Sequence, residues 1–318
     1  MSPGRAATSR TRAHVPRRAP SSPTSEASAE LRIDAPAKIN LTLEVVGRMP
    51  NGYHAIRSVM LLLPRLADTI RIRVDDGREA IRIRTNSAAT PADATNLCHV
   101  AAQRYLAHTA QAAALVIDID KKIPVAAGLG GGSSDAAAVL LALNRRFGAP
   151  VAPRELAAIG SDIGKDVPFF LRETAAARAT GMGEVVTPVR VPRAPRVLVV
   201  NPGIAVPTGA AYAALARELW FMSSRARIDR SRMMERALRS GDMAGVAGAV
   251  FNDFEPVVER MHPVIKELKQ ALVAFGARAA AMSGSGSTVF GVFTSVRSLA
   301  VAHAALQAHY PSFAIARA

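Results

Sequence analysis

The sequence predicts an α+β protein of two lobes. Three observations carry this. A period-two run of apolar residues opens the folded part. A glycine-rich loop follows an apolar strand and leads into an alanine-rich helix. A stretch dense in proline and arginine then separates this region from a second set of strands and helices.

In the first run every odd position from 31 to 45 is apolar, from Leu31 and Ile33 to Leu43 and Val45. This alternation fits a strand or strand pair with one buried face. Pro36 marks an edge or a bulge within it. Lys38 and Asn40 share the opposite face, where a ligand can reach them. Further on, Ile70, Ile72 and Val74 alternate with arginines, as do Ile81 and Ile83. Asp76-Gly77 lies between the two runs and predicts a hairpin, with its arginines on a solvated face. Thr95 is placed to cap a helix that runs to about His108. Leu115, Ile117 and Ile119 make another strand. Helices are expected from about Ser133 to Arg145 and from Pro153, a favourable first-turn proline. Thr187–Arg196, with three prolines and three arginines, reads as the connection between lobes. After it come a strand (Val197–Val200), a helix from Thr208 and helices through roughly 230–275. Two short strands (Ala279–Met282, Thr288–Phe293) and a final helix close the chain.

The 318 residues allow one large domain or two ordinary ones, and 49% hydrophobic letters exclude disorder throughout. The single cysteine, Cys98, excludes a disulfide framework and a cysteine zinc site. The apolar run Val59–Leu63 stops at Pro64 and Arg65, and no stretch is long enough for a transmembrane helix. The net charge is +15. Residues 1–30 hold five arginines and two glutamates, which leaves +12 for the remainder. This tail is poor in aliphatic residues and reads as disordered. It fits a plain bacterial extension better than an organelle transit peptide. The charge itself suits nucleic acid or phosphorylated small molecules.

The most informative segment is Ile123–Ala138, IPVAAGLGGGSSDAAA. Gly128, Gly130, Gly131 and Gly132 let the backbone approach a ligand closely. Ser133 and Ser134 stand at a helix start, where unbonded N–H groups and the helix dipole attract phosphate. Asp135 reads as support for the first helical turn. The loop lacks the lysine of a Walker A motif and the last glycine of a dinucleotide fingerprint.

PVAAGLGGGSSDAA resembles the phosphate-binding motif of the GHMP kinase superfamily. APAKINLTLEVVGRMPNGYHAIRSVM (Ala35–Met60) and GKDVPFF (Gly164–Phe170) resemble the branch that phosphorylates 4-diphosphocytidyl-2-C-methyl-D-erythritol. MSGSGSTVFGVF (Met282–Phe293) resembles the third glycine motif of the superfamily. The resemblance spans about residues 31–318. It implies a lobe like ribosomal protein S5 domain 2 over 31–188, binding ATP, and an α/β lobe over 189–318, binding substrate. It also implies ATP and Mg2+ as cofactors, with no metal ligand assigned, and a cytoplasmic enzyme of the non-mevalonate isoprenoid route.

The residues can be read for chemistry on their own. Phosphoryl transfer needs a positioned hydroxyl, an acceptor for its proton and cations around the phosphates. Asp166 is a suitable base, and its apolar neighbours Val167, Pro168, Phe169 and Phe170 would partly desolvate it. Lys38 can bond Asp166 and the attacking hydroxyl and stabilise charge on the moving group. A structural ion pair explains the same residues; the resemblance implies the catalytic pair. Lys165, where the family carries a small residue, is expected to face solvent.

For the substrate, Tyr53 in the turn Asn51-Gly52-Tyr53-His54 can stack on cytosine, and His54 can bond its edge. By resemblance Tyr212 adds a second ring, and Thr208, also suited to a helix N-cap, contacts substrate. Asn40 is a candidate for the hydroxyl region. For ATP, resemblance adds Asn96 and Lys121 near adenine, with Pro124 and Leu129 in the loop. Asn96 also reads as a helix start and Lys121 as a solvated strand end. Gly284, Ser285 and Gly286 either approach the phosphates or form a structural turn. The expected partner is a small-molecule substrate, a cytidine diphosphate ester of methylerythritol, without nucleic acid or membrane. Other readings are a homoserine or mevalonate type kinase, which Tyr53-His54 and GKDVPFF oppose, and a nucleic-acid-binding protein. The 5% aromatic content and dispersed arginines oppose the last.

Overall fold

The computed structural model describes Met1 and residues 30–50, 52–75, 80–219 and 228–317. The tail, Asn51 and the turn Asp76-Gly77 fall outside the described residues.

The alternating run forms one strand, β1 (Leu31–Arg48), antiparallel to the 22-residue β2 (His54–Asp75). The register shifts between Pro36 and Ala37, where Pro36 faces Ala67 and Ala37 faces Leu63. The irregularity expected at Pro36 is therefore present. It absorbs Pro64, Arg65 and Leu66, which interrupt the apolar run without ending the strand. The free edge of β2 takes two partners in turn. Its first part pairs with β5 (Ala176–Thr180) and its second with β4 (Ala114–Asp120).

The expected hairpin does not form. β3 (Ile81–Thr85) pairs parallel with β4, which stands between it and β2. With β1 on one side of β2 and β4 on the other, no edge is left for β3. The sheet order is β3-β4-β2-β1-β8, with β5 on β2 and β6 (Val185–Val189) on β5. Thr187–Val189 thus belong to β6, and the connection begins after them. A second antiparallel sheet has the order β11-β7-β10-β9, from β7 (Arg196–Asn201), β9 (Ala279–Met282), β10 (Val289–Phe293) and β11 (Ala314–Arg317). The short β8 (Phe251–Asn252) pairs with Thr42 and Leu43 of β1, so the later half of the chain contributes to the first sheet.

Helices α1 (Leu97–Thr109) and α2 (Gly131–Arg146) pack on one face of the first sheet over Ile70, Ile72, Leu115 and Ile117. The cap of α1 is Asn96, whose side chain accepts the Cys98 N–H, and not Thr95. Alanines favour α2, and Arg145 and Arg146 in its last turn suit the helix dipole. Pro153 opens α3 (Pro153–Ile163) as expected, and the four-residue α4 (Val167–Phe170) follows. The odd face of β1 packs Ala37, Ile39 and Leu41 against Val197, Val199 and Phe290 of the second sheet. The opposite face is enclosed as well. Lys38, Asn40, Thr42 and Glu44 are all buried. In the second half come α5 (Thr208–Leu219), α6 (Arg230–Ser240), α7 (Met243–Ala249), α8 (Glu255–Met261), α9 (Val264–Ala274) and α10 (Val296–His309).

Candidate active site

Burial of Lys38 on a sheet needs partners, because an unpaired ammonium in the interior is costly. Its Nζ lies 2.7 Å from Asn40 Oδ1, 3.3 Å from the Gly128 carbonyl and 3.2 Å from Asp166 Oδ2. Asn40 in turn donates to Ser58 Oγ at 2.8 Å, and Ser58 donates to the Thr42 carbonyl. This chain of bonds fixes the lysine head at the floor of a cleft of about 1060 Å³. That volume lies at the upper end of the range for small-molecule sites.

Asp166 sits at the N-terminal end of α4. Val167, Phe169 and Phe170 turn into the core and anchor it, but the carboxylate remains 34% exposed on the cleft wall. The carboxylate is thus partly, not fully, withdrawn from water. Lys165 is half-buried and lines the cleft. Its Nζ donates to the Ser161 carbonyl at 3.0 Å, near the C-terminal end of α3, where a cation suits the dipole.

The glycine loop crosses the cleft above Lys38. Gly128 has φ +76°, and a Cβ there would stand 2.1 Å from the Ser283 carbonyl oxygen. At Gly130, with φ +70°, a Cβ would press on Lys38 and Phe170 at 3.0 and 3.1 Å. Only glycine permits both approaches. The first bond inside α2 runs from Ser134 N–H to Gly130 O at 2.9 Å. The N–H groups of Gly131, Gly132 and Ser133 precede it at the open, positive end of the helix. Ser134 itself is turned inward, with its Oγ buried and unpartnered among the described residues.

The third glycine motif closes against this loop. Ser283 Oγ donates to the Gly128 carbonyl at 2.9 Å and accepts the Asn40 N–H at 3.2 Å. Asn252 Nδ2 donates to the carbonyls of Met282 and Gly284. Gly284 and Ser285 reach the cleft; Gly286 does not, and a Cβ there would lie 2.7 Å from Met282 Sδ. Thr208 is the first residue of α5, one position past the N-cap place, which Pro207 holds; the Pro207 carbonyl accepts the first helical bonds from Ala210 and Ala211. The Thr208 hydroxyl bonds Ser285 Oγ at 3.0 Å instead.

At one end of the cleft the rings of His54 and Tyr212 stack, with centroids 5.0 Å apart and planes 22° from parallel. Phe254 meets Tyr212 edge-on at 4.7 Å. A centroid distance of 5.0 Å leaves no space for a base between His54 and Tyr212. Tyr53 is 63% exposed beside them. Burial first, and then Arg48, hold His54 below its usual pKa, so the ring is neutral near pH 7. Burial first, and then the Asp166 charge, push the Tyr212 hydroxyl up to about 12.

At the other end stand Asn96, Leu97, Lys121, Pro124 and Asp135. Lys121 is not a solvated strand end. Its Nζ bonds Asp68 Oδ2 and, at 2.7 Å, Asp135 Oδ2. Asp135 is likewise more than support for a helical turn.

Of the residues expected at a site, all but Leu129, Ser134 and Gly286 line this one cleft. Leu129 is buried, and its carbonyl accepts the Lys38 N–H at 2.9 Å. Sequence reasoning missed Asp68, Ser58, Ser283, Asn252 and Phe254. Ser283 and Ser58 both stood inside recognised motifs and were within reach. The others carry no local signal.

Residues 96–173 match the GHMP kinases N terminal domain, and residues 234–312 match the GHMP kinases C terminal domain. A 4-diphosphocytidyl-2-C-methyl-D-erythritol kinase of Heliobacterium modesticaldum is 41% identical over 288 residues, covering 86% of this chain and 90% of that protein. One of Symbiobacterium thermophilum is 41% identical over 264 residues, with 82% and 90% covered. A crystal structure of 4-(cytidine 5'-diphospho)-2C-methyl-D-erythritol kinase superposes with a TM-score of 0.73 at 34% identity, covering 90% of this chain and 98% of that one. Homoserine kinase from Cytophaga hutchinsonii, 17% identical, shares the fold with a TM-score of 0.70 over 93% of this chain and 95% of that one.

Proposed function

The chain belongs to the GHMP kinases, among their 4-diphosphocytidyl-2-C-methyl-D-erythritol kinases, and on that footing we propose how its cleft divides the work. The reaction transfers a phosphoryl group from ATP to the 2-hydroxyl of 4-diphosphocytidyl-2-C-methyl-D-erythritol, in the non-mevalonate route to isoprenoids. ATP enters as its Mg2+ complex, the metal arriving on the phosphates. Such an ion needs few protein ligands. Among the described residues no cluster of three or more acidic, histidine or cysteine side chains offers a resident metal site.

The nucleotide phosphates lie on the N–H groups of Gly131, Gly132 and Ser133, with the positive end of α2 behind them. Adenine takes the end lined by Asn96 and Lys121. The cytidine base takes the end with Tyr53, His54 and Tyr212. Neutral His54 bonds the base edge, and Tyr212 covers a base face. Thr208, Ser285 and Gly284 line the path between the two ends. Residues 31–188 supply the ATP side and residues 189–318 most of the substrate side. The setting is the bacterial cytoplasm.

Asp166 Oδ2 accepts the proton of the 2-hydroxyl as that oxygen attacks phosphorus. Lys38 holds Asp166 in place and offsets the charge that develops on the attacking oxygen and the moving phosphoryl group. The observation that carries this reading is the position of one ammonium, Lys38 Nζ. It touches the proposed base at 3.2 Å and the phosphate-loop carbonyl of Gly128 at 3.3 Å. The test is the turnover of Asp166→Asn and Lys38→Ala. Each is expected to lower kcat by about 10²–10⁴-fold with the fold retained by circular dichroism. Near-normal kcat in both folded variants would refute the pair.

A further inference from the structure

The cluster Asp68–Lys121–Asp135 lies directly under the start of α2, and neither of its carboxylates is used by the chemistry above. Its three side chains are 0%, 6% and 4% exposed. Lys121 Nζ bonds both carboxylates, and it lies 3.3 Å from the point where a Cβ on Gly131 would stand. The ammonium is thus packed against the first residue of the helix.

The two carboxylates are not equivalent. Both oxygens of Asp68 have donors: Oδ2 has Lys121, and Oδ1 has the N–H groups of Lys122 and Ile123 at 2.5 and 2.8 Å. Asp135 has Lys121 on Oδ2 alone. Its Oδ1 is buried with no partner among the described residues. A bare carboxylate oxygen in the interior is costly, and a proton on it removes that cost. The proton of the cluster therefore belongs on Asp135.

We propose that Asp135 is a positioning residue for the nucleotide: through Lys121 it sets the net charge beneath α2, and ATP binds best when Asp135 is protonated. With the proton, Asp68 and Lys121 balance and the cluster is neutral. Without it the cluster carries one negative charge beside the N–H groups assigned to the phosphates. A buried charge so close is poorly screened and opposes a polyanion. The groups that face Asp135 are Asp68 from β2, Lys121 from the β4–α2 connection and Cys98 from α1. Burial holds the Cys98 thiol well above its usual range and keeps it neutral. Burial raises Asp135 most, Lys121 pulls it back and Asp68 raises it again, which leaves it at about 7. The proton is thus exchanged near neutral pH.

This inference rests on the placement of the ATP phosphates at α2. Its test is the Kd of a fluorescent ATP analogue from about pH 6 to about pH 8.5, in wild type and Asp135→Asn. Protonation of the nucleotide itself is common to both proteins and cancels in the ratio. Wild type should lose about five- to tenfold more affinity across this range than the variant. Parallel curves would overturn the proposal. Should the variant not fold, calorimetry of wild type with the same analogue in two buffers of different ionisation enthalpy reads the proton directly. Uptake on binding above neutrality is expected, and its absence overturns the proposal. The cytidylyl substrate is titrated in parallel. A pH effect on that ligand alone would show instead that the nucleotide has been assigned to the wrong end of the cleft.

Discussion

Lys38 Nζ on β1 and Asp166 Oδ2 at the start of α4 stand 3.2 Å apart, although 128 positions separate them in the chain. Lys38 is buried and Asp166 is one-third exposed, so the pair presents its carboxylate to the cleft and keeps its cation behind it. That asymmetry suits a base that must meet a substrate hydroxyl while its positive partner stays fixed.

The meeting of the two glycine motifs is a steric necessity at Gly128. Gly128→Ala places a methyl group 2.1 Å from the Ser283 carbonyl oxygen at φ +76°. Gly203 has nearly the same φ, +75°, with nothing within 4 Å of its Cβ position. Gly203→Ala should cost about 1 kcal/mol, the price of the left-handed backbone alone. Gly128→Ala should cost at least about 2 kcal/mol more and weaken ATP binding. Urea unfolding of both variants checks this, and equal losses would contradict it.

The ring cluster at the cytidine end predicts a split between the two substrates. Tyr212→Ala removes the ring stacked on His54, and Tyr53→Ala the exposed ring beside it. Each should raise KM for the cytidylyl substrate roughly tenfold, in line with base–aromatic stacking. KM for ATP should stay within about twofold. Steady-state kinetics with each substrate varied in turn decide the matter. Equal rises in both KM values would mark the rings as structural.

Asp135 predicts a pH dependence of stability. The folded-state pKa of about 7 lies above the ordinary 3.8, so between these values the folded chain binds the extra proton. Its contribution is therefore fully present below about pH 4 and is lost as pH rises toward about 7. Asp135→Asn should remove this decline, and the difference from wild type should grow with pH to on the order of a few kcal/mol. Chemical denaturation from pH 5 to pH 8 measures it. A difference that does not change with pH would contradict the prediction.

Much of the site was legible because its chemistry needs local signals. Glycines that must approach a ligand cluster in the chain, and Lys38 and Asn40 sit on one face of an alternating strand. What escaped depends on partners far away in sequence. Lys121 looked like a solvated strand end because Asp68, which clamps it, lies 53 residues earlier. Thr208 suits a cap by type, yet the helix begins on it, Pro207 holds the N-cap position, and the Thr208 hydroxyl bonds Ser285 instead. In the fold, the apolar run breaks at Pro64 and Arg65 while β2 continues, and only the partner strand shows that break to be a bulge. Ala176–Thr180 has no apolar alternation to announce β5, since β2 and β6 flank its edges and both its faces are packed, Ala176 on one side and Ala177 and Ala179 on the other. The failed hairpin has the same origin, because neither strand records that β4 will come between them.

The central claim is that this cleft phosphorylates a cytidine diphosphate ester at a hydroxyl. The most direct measurement is ADP release with 4-diphosphocytidyl-2-C-methyl-D-erythritol, mevalonate or homoserine as the only acceptor. Saturable release with the first, and background release with the other two, is the predicted result. No turnover of the first with clear turnover of either alternative would contradict the account.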